Sequence, residues 1–259
     1  MQMRTMYFHV LASALLATTG AGAAEPSTVE RPAVIEQLEQ QGFEFMGEFA
    51  APGGLRGFAA LAQGRPIAVY LTPDGGHAVI GTLVDAQGED VSASVLERMV
   101  VQPMSQKLWK QLEATSWVAD GAADAPRVVY AFMDPNCPYC HRFWQASRRW
   151  VQSGKVQLRH ILVGLIREDS ANKAAAILAA PSPTEAFTLN ETRFDQGGIS
   201  GLESIPQTVR AQLDAHERLM SEIGLQGTPG ILFQDEAGVV RLLSGMPAPE
   251  DMEHVLGPR

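Results

Sequence analysis

The feature that most constrains this chain is the segment MDPNCPYCHRFW at residues 133–144, which contains both of its cysteines. Cys137 and Cys140 are separated by two residues, and neither has another thiol to pair with. A disulfide across so short a loop adds little stability, because the stabilisation grows with the length of the closed loop. The pair can be a structural link, half of a metal site or a redox-active dithiol, and its surroundings decide between these.

The residues around the cysteines predict a strand, a turn and a helix. RVVYAFMD, residues 127–134, is an almost unbroken apolar run, which is typical of a central strand in a parallel sheet. The following PYCHRFWQASRRWVQSG has apolar residues three and four positions apart, which predicts a helix from near Pro138 to Gly154. KVQLRHILVG then predicts the next strand. The cysteines therefore lie at the first strand-to-helix turn of a β-α-β unit.

A thiol at such a turn has a specific chemistry. The N-terminus of a helix has unpaired N–H groups and a partial positive charge, so it stabilises a thiolate. We predict that Cys137, at the cap and the more exposed of the two, is the attacking thiol. Cys140, one turn into the helix, would then resolve the mixed disulfide. A C-x-x-C pair in this context is typical of a redox motif rather than an inert link.

Zinc binding is the alternative for two close cysteines. A structural zinc ion normally takes four protein ligands. The histidines beyond the first 24 residues form no spaced pair that would complete such a site; they are His77, His141, His160, His216 and His254. We therefore predict that the chain binds no metal and uses no cofactor.

Residues 1–24 have the layout of a secretory signal peptide. Arg4 precedes an apolar core at residues 7–17, and the A-x-A cleavage pattern fits residues 21–23, or residues 22–24 as an alternative. The other interpretation, a transmembrane anchor, would need about 20 apolar residues. We predict a cleaved signal and an exported protein, in a compartment where disulfides form.

The exported chain is predicted to contain two units joined by a helix. Residues 25–91 begin with a helix that ends at Gly42, and antiparallel strands follow, among them PIAVYLT and HAVIGTLVD around the turn PDGG. Residues 92–120 turn to helical spacing, and Pro103 is expected to kink or divide this linker helix. A small sheet with few core residues is marginally stable alone, which favours self-association.

Residues 121–259 form the second unit. After the β-α-β unit the sequence predicts mostly helices over residues 165–225, then the hairpin GILFQ and VVRLLSG, and a terminal helix. This order resembles the thioredoxin fold with a helical insertion. In thioredoxin-like proteins a cis-proline faces the active-site cysteines, and the resemblance places it at Pro229, beside Thr228. The predicted substrate-binding residues are Pro138, Tyr139, Thr228 and Pro229.

The resemblance extends beyond the fold. DPNCPYCHRFW, SGKVQLRHILVG and AAAILAA resemble the DsbG/DsbC family of periplasmic thiol:disulfide interchange proteins, over nearly the whole exported chain. The CPYC motif and the lack of an additional cysteine pair favour the DsbG branch. The fold class is then α/β (α+β), with a small α+β dimerisation domain, a linker helix and a thioredoxin-like catalytic domain.

The family also implies a function and partners. The molecule would be a V-shaped homodimer in the periplasm that acts on misoxidised or sulfenylated proteins, and a DsbD-like membrane reductant would keep its cysteines reduced. Two alternatives remain: a DsbA-like net oxidant, and a holdase chaperone that uses the dimer cleft. The formal net charge of −9 disfavours nucleic acid as a partner.

The residues near the motif raise the question of where the Cys140 proton goes. By resemblance, Ala131 occupies the position where thioredoxins often have a buried carboxylate that accepts this proton, so water or another group must serve. We interpret Asp134 as a loop acid before the helix, and His141 as a solvated helix residue rather than a charge that stabilises a thiolate. The aromatic residues predicted to lie in the core are Phe143, Trp144 and Trp150.

Overall fold

The structure is a computed structural model that describes residues 32–258. The predicted signal peptide, residues 1–24, lies outside the described residues. Within residues 32–258 no helix combines the length and the apolar character needed to cross a membrane.

The first unit is a four-stranded antiparallel sheet covered by a short helix. Its elements are α1 (Ala33–Gln40), β1 (Phe43–Ala50), β2 (Arg56–Ala62), β3 (Arg65–Leu71) and β4 (Ala78–Ile80), and the strands lie in the order β1-β2-β3-β4. Ile35 and Leu38 on α1 pack against Phe58 on β2 and against Val69 on β3. The predicted helix and antiparallel strands are confirmed, but HAVIGTLVD contributes only the three-residue strand β4 and one isolated bridge, Val84–Asp90.

A helical segment leads from this sheet to the second unit. It consists of α2 (Ala93–Leu96), a π-helical turn (Glu97–Val101) and α3 (Gln102–Ala114). The sequence predicts that Pro103 kinks or divides the segment. A π turn lies directly before Pro103, because a proline has no N–H to donate to the carbonyl four residues earlier and a wider turn accommodates its ring.

The second unit is built on a five-stranded sheet. Its elements are β5 (Val118–Asp120), β6 (Arg127–Met133), α4 (Pro138–Gln152), β7 (Val156–Leu162), α5 (Ser170–Leu178), α6 (Pro183–Thr192), α7 (Gln207–Glu222), β8 (Gly230–Gln234), β9 (Val240–Ser244) and α8 (Met252–Leu256). The strand order is β5-β7-β6-β8-β9, with β6 and β7 parallel and the other neighbours antiparallel. This is a thioredoxin-like sheet. The helices α5, α6 and α7, between β7 and β8, are the helical region that the sequence predicts.

One boundary predicted from the sequence differs from that of the observed sheet. The predicted linker segment ran to residue 120, whereas Val118–Asp120 pairs with β7 as an edge strand of the second unit. The linker helix itself packs on the sheet, because Leu112 on α3 lies in one core cluster with Tyr130 and Phe132 of β6. The opposite face of β6 packs against α4, which explains why this strand is apolar on both faces.

Candidate functional site

The two cysteines lie where β6 ends and α4 begins, as the sequence predicts. The Cys137 N–H donates to the Asp134 carbonyl at 3.0 Å, which closes the turn before the helix. Cys137 is the N-cap of α4, and its Sγ accepts the Cys140 N–H at 3.3 Å. The exposed fractions are 2% for Cys137 and 0% for Cys140, so the predicted order of exposure holds but both thiols are buried.

The loop before β8 supplies the opposite side of the site. The Thr228-Pro229 peptide bond is cis. The Thr228 carbonyl oxygen lies 3.3 Å from the Cys137 Sγ, close enough to accept a hydrogen bond from the protonated thiol. Pro138 and Tyr139 of the motif are exposed, and Arg142 lies over the Tyr139 ring. The structure thus brings together Cys137, Cys140, Thr228 and Pro229, with Pro138 and Tyr139 at the adjoining surface.

The two thiols differ strongly in acidity. A hydrogen bond from the Cys140 thiol, aided by the backbone N–H groups of Cys140 and Tyr139, outweighs burial and lowers the pKa of Cys137 to about 6. Burial, reinforced by the neighbouring Cys137, raises the pKa of Cys140 well above its ordinary value. Cys137 is therefore the more acidic of the two thiols.

Asp134 lies in the loop before α4, as we expect from the sequence. Its side chain is buried and accepts four hydrogen bonds, from the Asn136 N–H at 2.8 Å, the Ser170 hydroxyl at 2.9 Å and two backbone N–H groups after β7. Those two donors are Leu165 at 2.6 Å and Ile166 at 2.9 Å. The carboxylate therefore fixes the turn before Cys137 to the start of the insertion.

A second buried network supports the same turn. Lys173 on α5 donates to the Asn136 side-chain oxygen and to the Gly197 carbonyl, both at 2.8 Å, and its ammonium lies 3.2 Å from the Asp169 carboxylate. Asn136, immediately before Cys137, donates in turn to Asp169 and Ser170. Sequence reasoning missed this network because Asn136 lies more than 30 positions from Asp169, Ser170 and Lys173. Only the lysine within an apolar helix pattern could have indicated it.

His141 is also placed differently from the prediction. It is 9% exposed rather than solvated, and its Nδ1 lies 2.9 Å from the Glu191 carboxylate on α6. Its ring stacks on Phe194, with centroids 4.4 Å apart. The reason is the helical insertion, which covers this side of α4. The predicted core positions of Phe143, Trp144 and Trp150 are confirmed.

The position of Ala131 has a polar neighbour on the next strand. Ala131 pairs in parallel register with His160 of β7, so both side chains lie on the same face of the sheet. His160 is fully buried, its Nε2 lies 3.1 Å from the Asp120 carboxylate, and Asp120 also pairs with Arg148. Its Nδ1 has no hydrogen-bond partner among residues 32–258. Sequence reasoning gave no signal for this network.

The buried His160 gives stability a defined pH dependence. Burial lowers the pKa of His160, so below about pH 6.5 the unfolded chain binds a proton that the folded chain does not, and the free energy of unfolding falls. His216, which is also buried with a lowered pKa, contributes in the same direction. We expect His160→Gln, which retains a donor for Asp120, to reduce this loss by about 1 kcal/mol between pH 6.5 and 5 in urea titrations.

The control is the same comparison between about pH 8.5 and 7.5, above the range in which an unfolded histidine takes up a proton. There His160→Gln and the wild type should show equal slopes. An equal slope in His160→Gln and the wild type between about pH 6.5 and 5 would contradict the assignment of a neutral, buried His160.

Within the part of the chain that the structure describes, no group of three or more histidine, cysteine, aspartate or glutamate side chains is placed to hold a metal ion.

The known proteins that this chain is similar to are thioredoxin-like or thiol:disulfide interchange proteins. A thioredoxin family model matches residues 113–223. The thiol:disulfide interchange protein DsbG of Pseudomonas aeruginosa is 47% identical over 230 residues, which are 89% of this chain and 90% of that protein. The DsbG of Escherichia coli is 37% identical over 88% of this chain and 92% of its own length. The thiol:disulfide interchange protein DsbC of Dickeya dadantii is 24% identical over 73% of this chain and 71% of that protein.

Proposed function

This chain belongs to the DsbG family of thiol:disulfide interchange proteins, and we propose that Cys137 is the thiol that attacks oxidised cysteines in exported client proteins. The observation that carries the proposal is the placement of the two thiols: the Cys137 Sγ lies at the N-cap of α4 and accepts the Cys140 N–H at 3.3 Å, whereas Cys140 is fully buried. This placement lowers the pKa of Cys137 to about 6 and raises the pKa of Cys140 well above its ordinary value. The first is the nucleophile and the second is the resolving group.

The reaction with a client disulfide proceeds in two exchanges. The Cys137 thiolate attacks one client sulfur, the client S–S bond breaks, and the other client sulfur leaves as a thiolate. A different thiolate of the client then attacks the client sulfur of the mixed disulfide, which forms a new client disulfide and restores the Cys137 thiolate, so the client is isomerised without net oxidation. Alternatively Cys140 loses its proton and attacks the Cys137 sulfur, which releases a reduced client and leaves a Cys137–Cys140 disulfide.

A sulfenylated cysteine is the second substrate class that we propose. The Cys137 thiolate attacks the sulfenic sulfur and displaces its oxygen as hydroxide, which takes up a proton to become water. Cys140 then attacks the mixed disulfide and releases the client thiol. The two electrons come from the dithiol, so each turnover oxidises Cys137 and Cys140, and a membrane reductant of the DsbD type must reduce them again.

The surface beside Cys137 suits an extended client chain. The Thr228 carbonyl lies next to the Cys137 sulfur, and Pro229 follows it in the cis form. Backbone groups at such a position can pair with a client strand in short β-like contacts, which recognise the main chain whatever its sequence. The exposed Pro138 and Tyr139 would contact the client side chains that flank its cysteine.

The redox state in the cell tests the proposed direction of electron flow. Alkylation of thiols in intact cells should find Cys137 and Cys140 mostly reduced in the wild type and mostly oxidised when the membrane reductant is deleted. A pair that is mostly oxidised in the presence of that reductant would indicate a net oxidant and contradict the proposal.

We also propose that the first unit forms a homodimer. Its surface exposes large apolar side chains that a monomer would leave in water: Met46, Val79, Ile80 and Val84 are between 42% and 59% exposed. Three of them lie on or just after β4, whose outer edge has unpaired backbone groups, and such an edge is a ready template for pairing. A second copy of the same edge is the partner that buries it.

If two copies pair through the edge of β4, a charged residue at this edge should prevent dimer formation. Val79→Asp should convert the protein to a monomer in light scattering coupled to size-exclusion chromatography, because two aspartates would be buried at a symmetric interface. Leu189→Asp changes an exposed leucine on α6, outside the first unit, and should leave the dimer intact. A dimer that persists in Val79→Asp would place the interface elsewhere.

A further inference from the structure

Two adjacent aliphatic side chains are exposed on the loop between β7 and α5, and the mechanism above does not use them. The exposed fractions are 49% for Leu165 and 47% for Ile166. Most large apolar side chains of the second unit are instead buried or half-buried in its core. An apolar patch that remains in water often marks an interaction site.

The loop that carries these two side chains is held through its backbone. The N–H groups of Leu165 and Ile166 both donate to the Asp134 carboxylate, at 2.6 Å and 2.9 Å. Gly164, the residue before them, packs so closely on α5 that a Cβ atom there would lie 2.5 Å from the Ala171 Cα. The backbone is therefore fixed to the body of the protein, and the side chains are what the loop presents to solvent.

The residue that holds this loop also holds the attacking cysteine. The Asp134 carbonyl accepts the Cys137 N–H at 3.0 Å, and its carboxylate accepts the Leu165 N–H. Two hydrogen bonds and one intervening residue limit the separation of these two nitrogen atoms to about 10 Å. Because β6 and β7 are parallel, the cysteine turn and the loop both follow strand ends at one edge of the sheet. That edge is where α/β proteins bind their ligands.

From this placement we infer that Leu165 and Ile166 form a contact surface for an apolar side chain of the client, close to the client's oxidised cysteine. The pair extends the client surface that is proposed above for Pro138 and Tyr139. An extended chain advances about 3.3 Å per residue, so the client side chain lies up to about three positions from its cysteine. The pair would thus select among clients by the residues that flank the reacting sulfur.

The partner that fits this surface is an unfolded segment of a client. Cysteine is among the residue types most often fully buried, so the segments around client cysteines carry apolar side chains that the native fold hides. Those side chains are accessible only while the client is unfolded or misfolded. The pair is followed by Arg167 and Glu168, which are exposed and of opposite charge. Burial of apolar area, rather than net charge, therefore supplies the selectivity.

The test is the rate at which the reduced protein reacts with two short peptides. Each peptide has one cysteine in a disulfide with thionitrobenzoate, and carries either leucine or serine at the second and third positions on both sides of that cysteine. The Cys137 thiolate attacks the peptide sulfur, and the coloured thionitrobenzoate leaves as a thiolate, whose absorbance gives the rate. We expect the wild type to react about tenfold faster with the leucine peptide, because the exposed parts of Leu165 and Ile166 can bury about one leucine side chain.

The variant that removes the surface combines Leu165→Ser with Ile166→Ser. Its rates with the leucine and serine peptides should lie within about twofold of each other, because the apolar contact is gone. Leu242→Ser, which changes an exposed leucine on the edge strand β9, should keep the tenfold preference of the wild type. The double variant should also keep the wild-type oligomeric state in light scattering.

Ile166→Glu tests the same surface in a way that a loss of folding cannot imitate. A third peptide carries lysine at the positions that leucine or serine occupies in the others. The ratio of its rate to that of the serine peptide should rise about threefold over the wild-type ratio, because the new carboxylate attracts the lysine side chain.

Three results would overturn the inference: a wild type without preference for leucine, a double variant that retains the preference, or Ile166→Glu without a gain for lysine. A changed oligomeric state of the double variant would also overturn it, because the pair would then be a subunit contact. This role of the pair rests on the proposed function, but a wild type that reacts with neither peptide would instead overturn the assignment of Cys137 as the attacking thiol.

Discussion

Replacing Cys137 with serine is expected to abolish disulfide isomerisation and sulfenic acid reduction, with a loss of at least about 10³-fold in turnover. The hydroxyl has the right size but is not ionised at neutral pH, so no nucleophile remains at the cap of α4. Cys140 cannot substitute for it, because that thiol is fully buried and its pKa is raised. The measurement is the rate at which a protein with scrambled disulfides regains activity.

Alkylation with a small reagent at pH 7 gives the matched comparison. Cys140→Ser should still react rapidly at Cys137, because the serine hydroxyl can still donate to the Cys137 sulfur. Cys137→Ser should react on the order of 10² times more slowly, because its remaining thiol is protonated and buried. Comparable alkylation rates in the two variants would contradict the assigned roles.

Replacing Asp134 with alanine is expected to destabilise the folded protein by about 3–5 kcal/mol. The change removes a buried acceptor of four hydrogen bonds and leaves the N–H groups of Asn136, Leu165 and Ile166 without a partner. Each unsatisfied buried donor costs about 1–3 kcal/mol, partly offset where water can enter. Urea unfolding monitored by circular dichroism gives the loss directly.

Asp124→Ala is the control for this prediction, because Asp124 is an exposed aspartate in the loop before β6. Its effect should lie within about 0.5 kcal/mol. A loss of less than about 1 kcal/mol in Asp134→Ala would mean that water or a rearranged loop satisfies these donors, and that the carboxylate does not hold the turn.

Much of the fold could be predicted because its signals are local. The apolar run of β6, the amphipathic pattern of α4 and the glycine that ends α1 each specify an element from a few neighbouring residues. The segment HAVIGTLVD failed for the opposite reason. It has strong β propensity, but beyond Ile80 it pairs through one isolated bridge, and propensity without a partner does not make a strand.

The active site could be predicted only in part. Cys137 and Cys140 were apparent from spacing, whereas Thr228 and Pro229 were assigned through a resemblance, because 91 positions separate Thr228 from the sulfur that it contacts. His141 does not have the solvated position expected from the sequence, because Glu191 and Phe194, which cover it, lie on the part of the chain that follows β7. A polar residue before or within a helix looks solvated until the element that covers it is known.

The central claim is that Cys137 forms the mixed disulfide and Cys140 resolves it. The most direct test is to isolate Cys140→Ser from the native compartment under non-reducing conditions and to map its covalent adducts by mass spectrometry. Client peptides should be attached through Cys137, and both Cys137→Ser and the double serine variant should carry none. Adducts on Cys140 in Cys137→Ser at a similar yield, or adducts on neither variant, would contradict the account.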